Sequence, residues 1–338
     1  MAVKANVLGS TCLALFLASC GGAAPPSSSP AASANAAGSA SAKPAASGGI
    51  TLYGALTTEN GEAFAKAFQA TSPGSSVQVV AAGSGALMSR IIAEQKAGGV
   101  KADVILLADP TAMDGLVANG VTVAYEPKDA NKLPANLKGT GWSGAFTFNN
   151  VILHRKGLAS APKDWNDLDN QSYKGQIEIG DPAYSGTTLA MVAALSDKLG
   201  WDYFRNLKKL DARAVQSTNT VGTDIAGGQM QVGISLDSVG RDLLKKGSPV
   251  EMVWPSSGTV PVPAPVAIVK GHDSAAAKSF VDWLISADGQ ATSVKLGYAP
   301  AYGASEAVPA GTKTIDVNWA QLQKDREKVL DMFKGIFG

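Results

Sequence analysis

An α/β fold, with sheets covered by helices, is predicted for the chain from Ile50 onward, and three observations predict it. Short apolar runs of β-forming residues alternate with amphipathic helical windows, the order that favours parallel strands joined by crossover helices. Roughly 290 residues follow, enough for two lobes of ordinary domain size. One run, AFTFNNVILH (145–154), is longer and alternates more than the others, as a strand passing between two lobes would.

The elements follow in order. ITLYG (50–54) reads as a strand, and 59–70 as a helix because Phe64, Ala67 and Phe68 share one face. VQVVAA (77–82) is a strand, ALMSRIIAEQKA (86–97) a helix and ADVILLA (102–108) a third strand. A second series begins near Trp165, with strand QIEIG (176–180), helices from Thr187 and from Trp201 to Leu207, and strand ARAVQ (212–216). A short helix near 221–226 and strand VGISL (232–236) complete it. PVEMVWP and VPAPVAIV then lead to helices at 275–284 and 288–295, and a last helix runs from about Trp319 to Phe333. No internal repeat is visible.

The first fifty residues read as export and tethering sequence. Residues 1–19 carry one lysine, Lys4, then the apolar stretch TCLALFLA. A positive start, a short apolar core and a small-residue cleavage site are the plan of a bacterial signal peptide, too short to span a bilayer. Leu17-Ala18-Ser19-Cys20 resembles a lipobox, which implies lipid on Cys20 as the first mature residue. The other cysteine, Cys12, would leave with the signal, and a domain with a large core needs no disulfide. After Cys20, residues 21–49 hold no large apolar side chain, so 20–49 reads as a lipidated start and flexible tether. The expected location is outside the cytoplasm, periplasmic or at the cell surface, lipid-anchored to the membrane.

Charge excludes one class of partner. With 29 Lys and Arg against 28 Asp and Glu and no long basic run, nucleic acid is not expected to bind. Enzyme motifs fail on context. Gly139-Thr-Gly141-Trp-Ser-Gly144 matches GxGxxG but precedes a strand instead of linking strand to helix. Ser160-Ala-Pro-Lys163 matches SxxK, yet its proline opposes the helical turn that would align serine with lysine. GxSxG, HExxH and a paired-cysteine site are missing from the sequence, so no catalytic residue, cofactor or resident metal is expected.

The order of segments resembles the solute-binding proteins of ABC importers, in the branch of ferric-iron, aminoalkylphosphonate and sugar-phosphate binders. LYGALT, GSGALMSRI, KADVILLADP, GDPAYSGTTLA, MQVGISLDS and AAAKSFVDWLISADGQ carry the resemblance, which covers nearly everything from Ile50. It implies a type II binding-protein fold: two lobes of mixed sheet flanked by helices, closing by hinge motion over a ligand cleft. The expected lobes are 50–145 with 262–315, and 150–258, with 316–338 packed across them. The implied partners are a small anionic or zwitterionic solute and the importer's permease and ATPase; the protein itself is expected to be monomeric. A receptor lipoprotein that uses this fold without transport is a minor alternative.

Residue chemistry suggests what the cleft holds. Helix N-termini leave N–H groups unpaired and carry partial positive charge, so small hydroxyl residues there make an anion site. Ser185, Gly186 and Thr187 form one such start, with Gly186 allowing a ligand oxygen close to the backbone. Gly83-Ser84-Gly85 before Ala86 repeats the arrangement, so Ser84 and Gly85 are contacts from the other lobe. The same residues are also ordinary helix caps, and that reading stands beside the first.

Ferric binders of the resembled branch use a tandem tyrosine pair with histidine and glutamate. Here Asp237 and Ser238 fall where the tyrosines would, and Thr57 and Ala108 where the others would. His154 and His272 lie outside the expected cleft loops, leaving Asp109, Asp181, Tyr184 and Asp237 as oxygen ligands for a metal. Without the tyrosine phenolates tight ferric binding is not expected, and ferric iron is kept as the alternative cargo. Asp237 and Asp109, otherwise caps of the helices that follow them, are offered as partners for the ammonium of a zwitterion such as 2-aminoethylphosphonate. Tyr53, Trp142 and Tyr184 are candidate cleft walls or core.

Overall fold

The computed structural model describes residues 48–303 and 305–338. The signal peptide, Cys20 and most of the tether expected from the sequence lie outside the described residues. Gly48 and Gly49, assigned to the tether from sequence, instead open the first strand.

The first half of the chain runs β1 (Gly48–Gly54), α1 (Thr58–Thr71), β2 (Ser75–Ala81), α2 (Ser84–Lys96), β3 (Val104–Leu106), α3 (Pro110–Ala118), β4 (Thr122–Val123) and β5 (Lys138–Gly139). A long strand, β6 (Trp142–Arg155), follows. Next come β7 (Ile177–Gly180), α4 (Gly186–Leu199), α5 (Trp201–Lys209), β8 (Arg213–Val215), α6 (Thr218–Gly227), β9 (Val232–Leu236), α7 (Asp237–Lys245) and β10 (Val250–Val253). β11 (Val260–Val269), α8 (Ala275–Ile285), α9 (Ala287–Lys295), β12 (Ala299–Pro300) and α10 (Trp319–Phe337) complete the order.

These strands join in one sheet whose main path is β2-β1-β3-β11-β6-β9-β7-β8. At one end β1 lies parallel to β2 and β3; at the other β7 lies parallel to β8 and β9. β6 and β11 run antiparallel through the middle, and β6 changes partners at Asn150, which faces Val260 of β11 on one side and Leu236 of β9 on the other. The long alternating run of the sequence is thus the strand shared by both halves.

Period-two alternation decides which face each strand residue covers. Ile50, Leu52, Val104 and Leu106 pack into one core, while Tyr53, Ile105 and Leu107 fill a second on the opposite face. Phe64 and Phe68, four apart on α1, enter the first core, where the Phe64 and Phe146 rings stack at 5.8 Å. In the other half Val151, Leu153, Val221 and Ile225 form a third core under α6 and α7. α10 reaches both ends of the molecule: the Phe333 ring lies 6.2 Å from Phe204 of α5, and Arg326 pairs with Asp109 at the start of α3 (2.7 Å). The Gly139–Gly144 glycines, which match a dinucleotide motif on paper, belong to the β5–β6 hairpin, with Gly141 at φ 80° in the turn.

Candidate ligand-binding cleft

A cavity of about 400 Å³ lies between the two halves. Its position follows from the connectivity. β1, β2, β7, β8 and β9 each run directly into a helix, so α1, α2, α4, α6 and α7 all begin at strand carboxyl ends, where open α/β sheets hold ligands. The starts of these five helices supply the polar lining: Thr57 and Asn60, Ser84, Ser185 to Thr187, Ser217 to Asn219, and Ser238. Phe148, Leu56, Leu236, Val239 and Tyr298 contribute to the apolar part.

The hydroxyls at these starts cap their own helices. The Thr57 Oγ1 accepts from the Asn60 amide (3.2 Å), Ser185 Oγ from the Thr188 amide (3.3 Å) and Ser217 Oγ from the Asn219 amide (3.0 Å). The Ser185 and Thr187 hydroxyls lie 3.0 Å apart. Capping and ligand binding are compatible, because a hydroxyl that accepts one bond still has a proton and a second lone pair. The other first-turn amides lack intrahelical acceptors, and five positive helix ends favour an anion in the space between. Beside them, the Tyr298 hydroxyl accepts from Asn60 Nδ2 (2.7 Å), and burial raises its pKa so that it stays protonated.

Three charged residues line the cavity: Glu59, Asp242 and Lys246. Lys246 Nζ, just past the end of α7, lies 2.7 Å from Asp242 of that helix and 3.4 Å from Glu59 on α1, so the ammonium spans the two halves.

Several residues singled out in the sequence are placed elsewhere. Asp237 is fully buried at the start of α7. Its carboxylate accepts from the Asn149 amide (3.0 Å), Asn149 Nδ2 (2.9 Å), the Ser238 amide (2.9 Å) and Arg241 Nη1 (2.9 Å). Burial raises its pKa against the pull of Arg241 and Asn149, and no oxygen is left for a ligand ammonium. Asp109 caps α3 by accepting from the Ala112 amide (3.0 Å), and its other oxygen meets Arg326. Both acids are structural, because each carboxylate is enclosed by donors from another element, Asn149 of β6 for Asp237 and Arg326 of α10 for Asp109. Gly85 lies in the first turn of α2, which begins at Ser84 and not at Ala86, and donates to the Tyr184 carbonyl (3.2 Å) instead of facing the cavity. Ser84 does line it, although its hydroxyl accepts from the Ala108 amide (3.0 Å). Tyr53 and Trp142 are core residues, bonded to Glu94 (2.6 Å) and Asp114 (2.7 Å), whereas Tyr184 is 44% exposed on the cavity wall. Asp181 accepts from the Ala183 amide (2.8 Å) within its own turn. Among the described residues, no group of three or more His, Cys, Asp or Glu side chains could hold a metal ion.

The sequence reading missed Gln216 to Asn219, Asn60 and the Glu59–Asp242–Lys246 group. A signal existed for the first. QSTNT (216–220) stands between a strand and a helix as SGTT does, but starting that helix at Val221 hid its cap. The charged group had none that joined its two sides, because Glu59 and Lys246 are 187 residues apart in the chain.

Comparisons with known proteins agree with this architecture. Residues 51–299 match the family model described as bacterial extracellular solute-binding protein. A Sinorhizobium fredii protein named as an ABC transporter periplasmic-binding protein is 30% identical over 82% of this chain and 81% of its own length. A Salmonella typhimurium periplasmic protein named for 2-aminoethylphosphonate binding is 24% identical, over 76% of this chain and 80% of its own. Among solved structures, the periplasmic binding protein AfuA of Actinobacillus pleuropneumoniae, with fructose-6-phosphate bound, superposes with TM-score 0.77 at 25% identity, covering 86% of this chain and 99% of that one. Iron-bound HitA of Pseudomonas aeruginosa superposes with TM-score 0.72 at 21% identity, covering 85% and 99%. The fold is that of the two-lobed type II binding proteins, and the protein is not an enzyme. With helix starts converging on a cleft between halves that share the long strand β6, the chain belongs to the bacterial extracellular solute-binding protein family and is the solute-binding component of an ABC importer.

Proposed function

We propose that the cleft captures a small solute bearing a phosphonate or phosphate group, with 2-aminoethylphosphonate the leading ligand, and delivers it unchanged to the importer's permease. One observation carries this reading: five helix N-termini converge on a cavity whose charged lining is two acids and one lysine. The helix ends suit the anionic head, and Glu59 and Asp242 suit an ammonium at the other end, the role that Asp109 and Asp237 are too enclosed to fill. The relative named for 2-aminoethylphosphonate binding supports it. A sugar phosphate is the second reading, favoured by the uncharged Asn60, Gln216 and Asn219 and by the relative holding fructose-6-phosphate.

The lobes are taken as 50–145 with 262–315, and 150–258, with 316–338 across them and the hinge where β6 and β11 cross. An anchor on Cys20 belongs to the same proposal, and fatty-acid labelling that persists in Cys20→Ala would remove it. Calorimetric titration with 2-aminoethylphosphonate, fructose 6-phosphate and ferric citrate tests the ligand. Heat with either phosphorus compound is expected, and tight iron binding without it overturns the reading.

A further inference from the structure

On one rim of the cavity the two halves meet backbone to backbone, and a glycine stands at each point of contact. The Gly85 amide donates across the gap to the Tyr184 carbonyl. A methyl on Gly85 would lie 2.5 Å from the Ala183 carbonyl oxygen, and one on Gly83 2.9 Å from that of Tyr184. From the other side, a methyl on Gly186 would lie 2.4 Å from Asp109 Cβ and 2.5 Å from the Ala108 carbonyl oxygen. These are backbone atoms or a Cβ, which no rotamer change moves aside.

None of the three glycines has a positive φ, so its own backbone does not require glycine. Within α2 and α4, alanine would be the better helix former. What forbids a side chain at these positions is the opposite half of the molecule. The other rim differs in kind: Lys246 reaches Glu59 through two long, exposed side chains that can adjust to a change in spacing.

We propose that Gly83, Gly85 and Gly186 form the closure seam of the cleft, and that a methyl at any one of them holds the two halves apart. The proposal rests on the cavity being the ligand cleft, but not on which ligand fills it. The full chain is compared with Gly186→Ala and Gly85→Ala, with Gly115→Ala as a control whose methyl meets nothing within 4 Å. Each is measured alone and with 2-aminoethylphosphonate, fructose 6-phosphate and inorganic phosphate. Small-angle scattering reports compaction, and hydrogen exchange of the Gly85 amide in the Gly186→Ala chain reports the seam itself.

The wild type and the control are expected to reach the scattering profile of this structure in at least one condition, with the Gly85 amide protected. Gly186→Ala and Gly85→Ala reach it in none, keep the ligand-free melting temperature, and bind about ten-fold or more weakly, as follows when the competent population falls by that factor. Loss of folding in one glycine variant leaves the other to decide. The proposal is overturned if a folded glycine variant closes as the wild type does, if the wild type closes in no condition, or if both variants melt early without ligand, which would make the glycines packing residues. If the wild type closes and the variants do not, yet no phosphorus compound binds, the ligand assignment falls and the seam stands.

Discussion

Two polar clusters flank the crossing strands, and they behave oppositely. At the helix starts around Ser185, Ser217 and Thr57, hydroxyls cap their helices and still line open space. At the start of α7, Asp237 is fully engaged by Asn149, Ser238 and Arg241, and Arg241 Nη1 also donates to the Gly297 carbonyl (2.7 Å), tying α7 and β6 to the loop after α9. Both clusters sit at helix N-termini and look alike in sequence. The difference is whether another element encloses the side chain: Ser238 lines the cavity while Asp237 beside it is buried against Asn149, and polar groups so enclosed become structure.

The largest expected effect comes from breaking the covered cluster. Asp237→Ala leaves Arg241 and Asn149 without their partner and should cost about 3 kcal/mol or more of folding stability, measured by urea unfolding. A variant as stable as wild type but deficient in solute binding would move Asp237 back to the cleft.

Glu178 sharpens the same contrast by pH. It is fully buried on β7, and burial, reinforced by Asp224, raises its pKa from 4.5 to about 7 although Arg213 lies 3.2 Å away. The folded protein therefore keeps this proton up to about pH 7, whereas the unfolded chain releases it near 4.5. The stabilisation is fully present below pH 4.5 and is lost as pH rises through 7, a change on the order of 3 kcal/mol. Glu178→Gln should remove this contribution to the slope of unfolding free energy between those pH values. An unchanged slope would show that Glu178 is ionised in the fold.

The smallest effect on folding is expected at the open cluster. Ser185→Ala with Thr187→Ala should cost roughly 1 kcal/mol of stability for the lost cap, yet weaken solute binding by roughly 1 to 3 kcal/mol in calorimetric titration. If affinity is unchanged while the fold is intact, these hydroxyls are caps alone.

Much of the fold was legible because its signals are local. The alternation of Leu52 and Tyr53, the Phe64–Phe68 spacing and the long 145–154 run each follow from strand or helix period, and each element forms close to where those periods place it. Helix starts were legible too, since Ser185 and Asp109 are capping residues in any context. The site was only half legible. Asp109 and Asp237 carry the right chemistry, but nothing local shows that Arg326, 217 residues on, or Asn149, 88 residues back, will occupy them. Lys246 and Glu59 were invisible for the same reason.

By itself the sequence determined the α/β alternation, the shared strand and the hydroxyl-rich helix starts, because these depend on backbone sterics and on periodicity within a few residues. Only the tertiary structure decided which helix starts face open space, which acids are consumed by distant partners, and why Gly83, Gly85 and Gly186 must lack side chains. Coverage and close approach are properties of pairs of surfaces, and the surfaces in each pair here come from segments far apart in the chain.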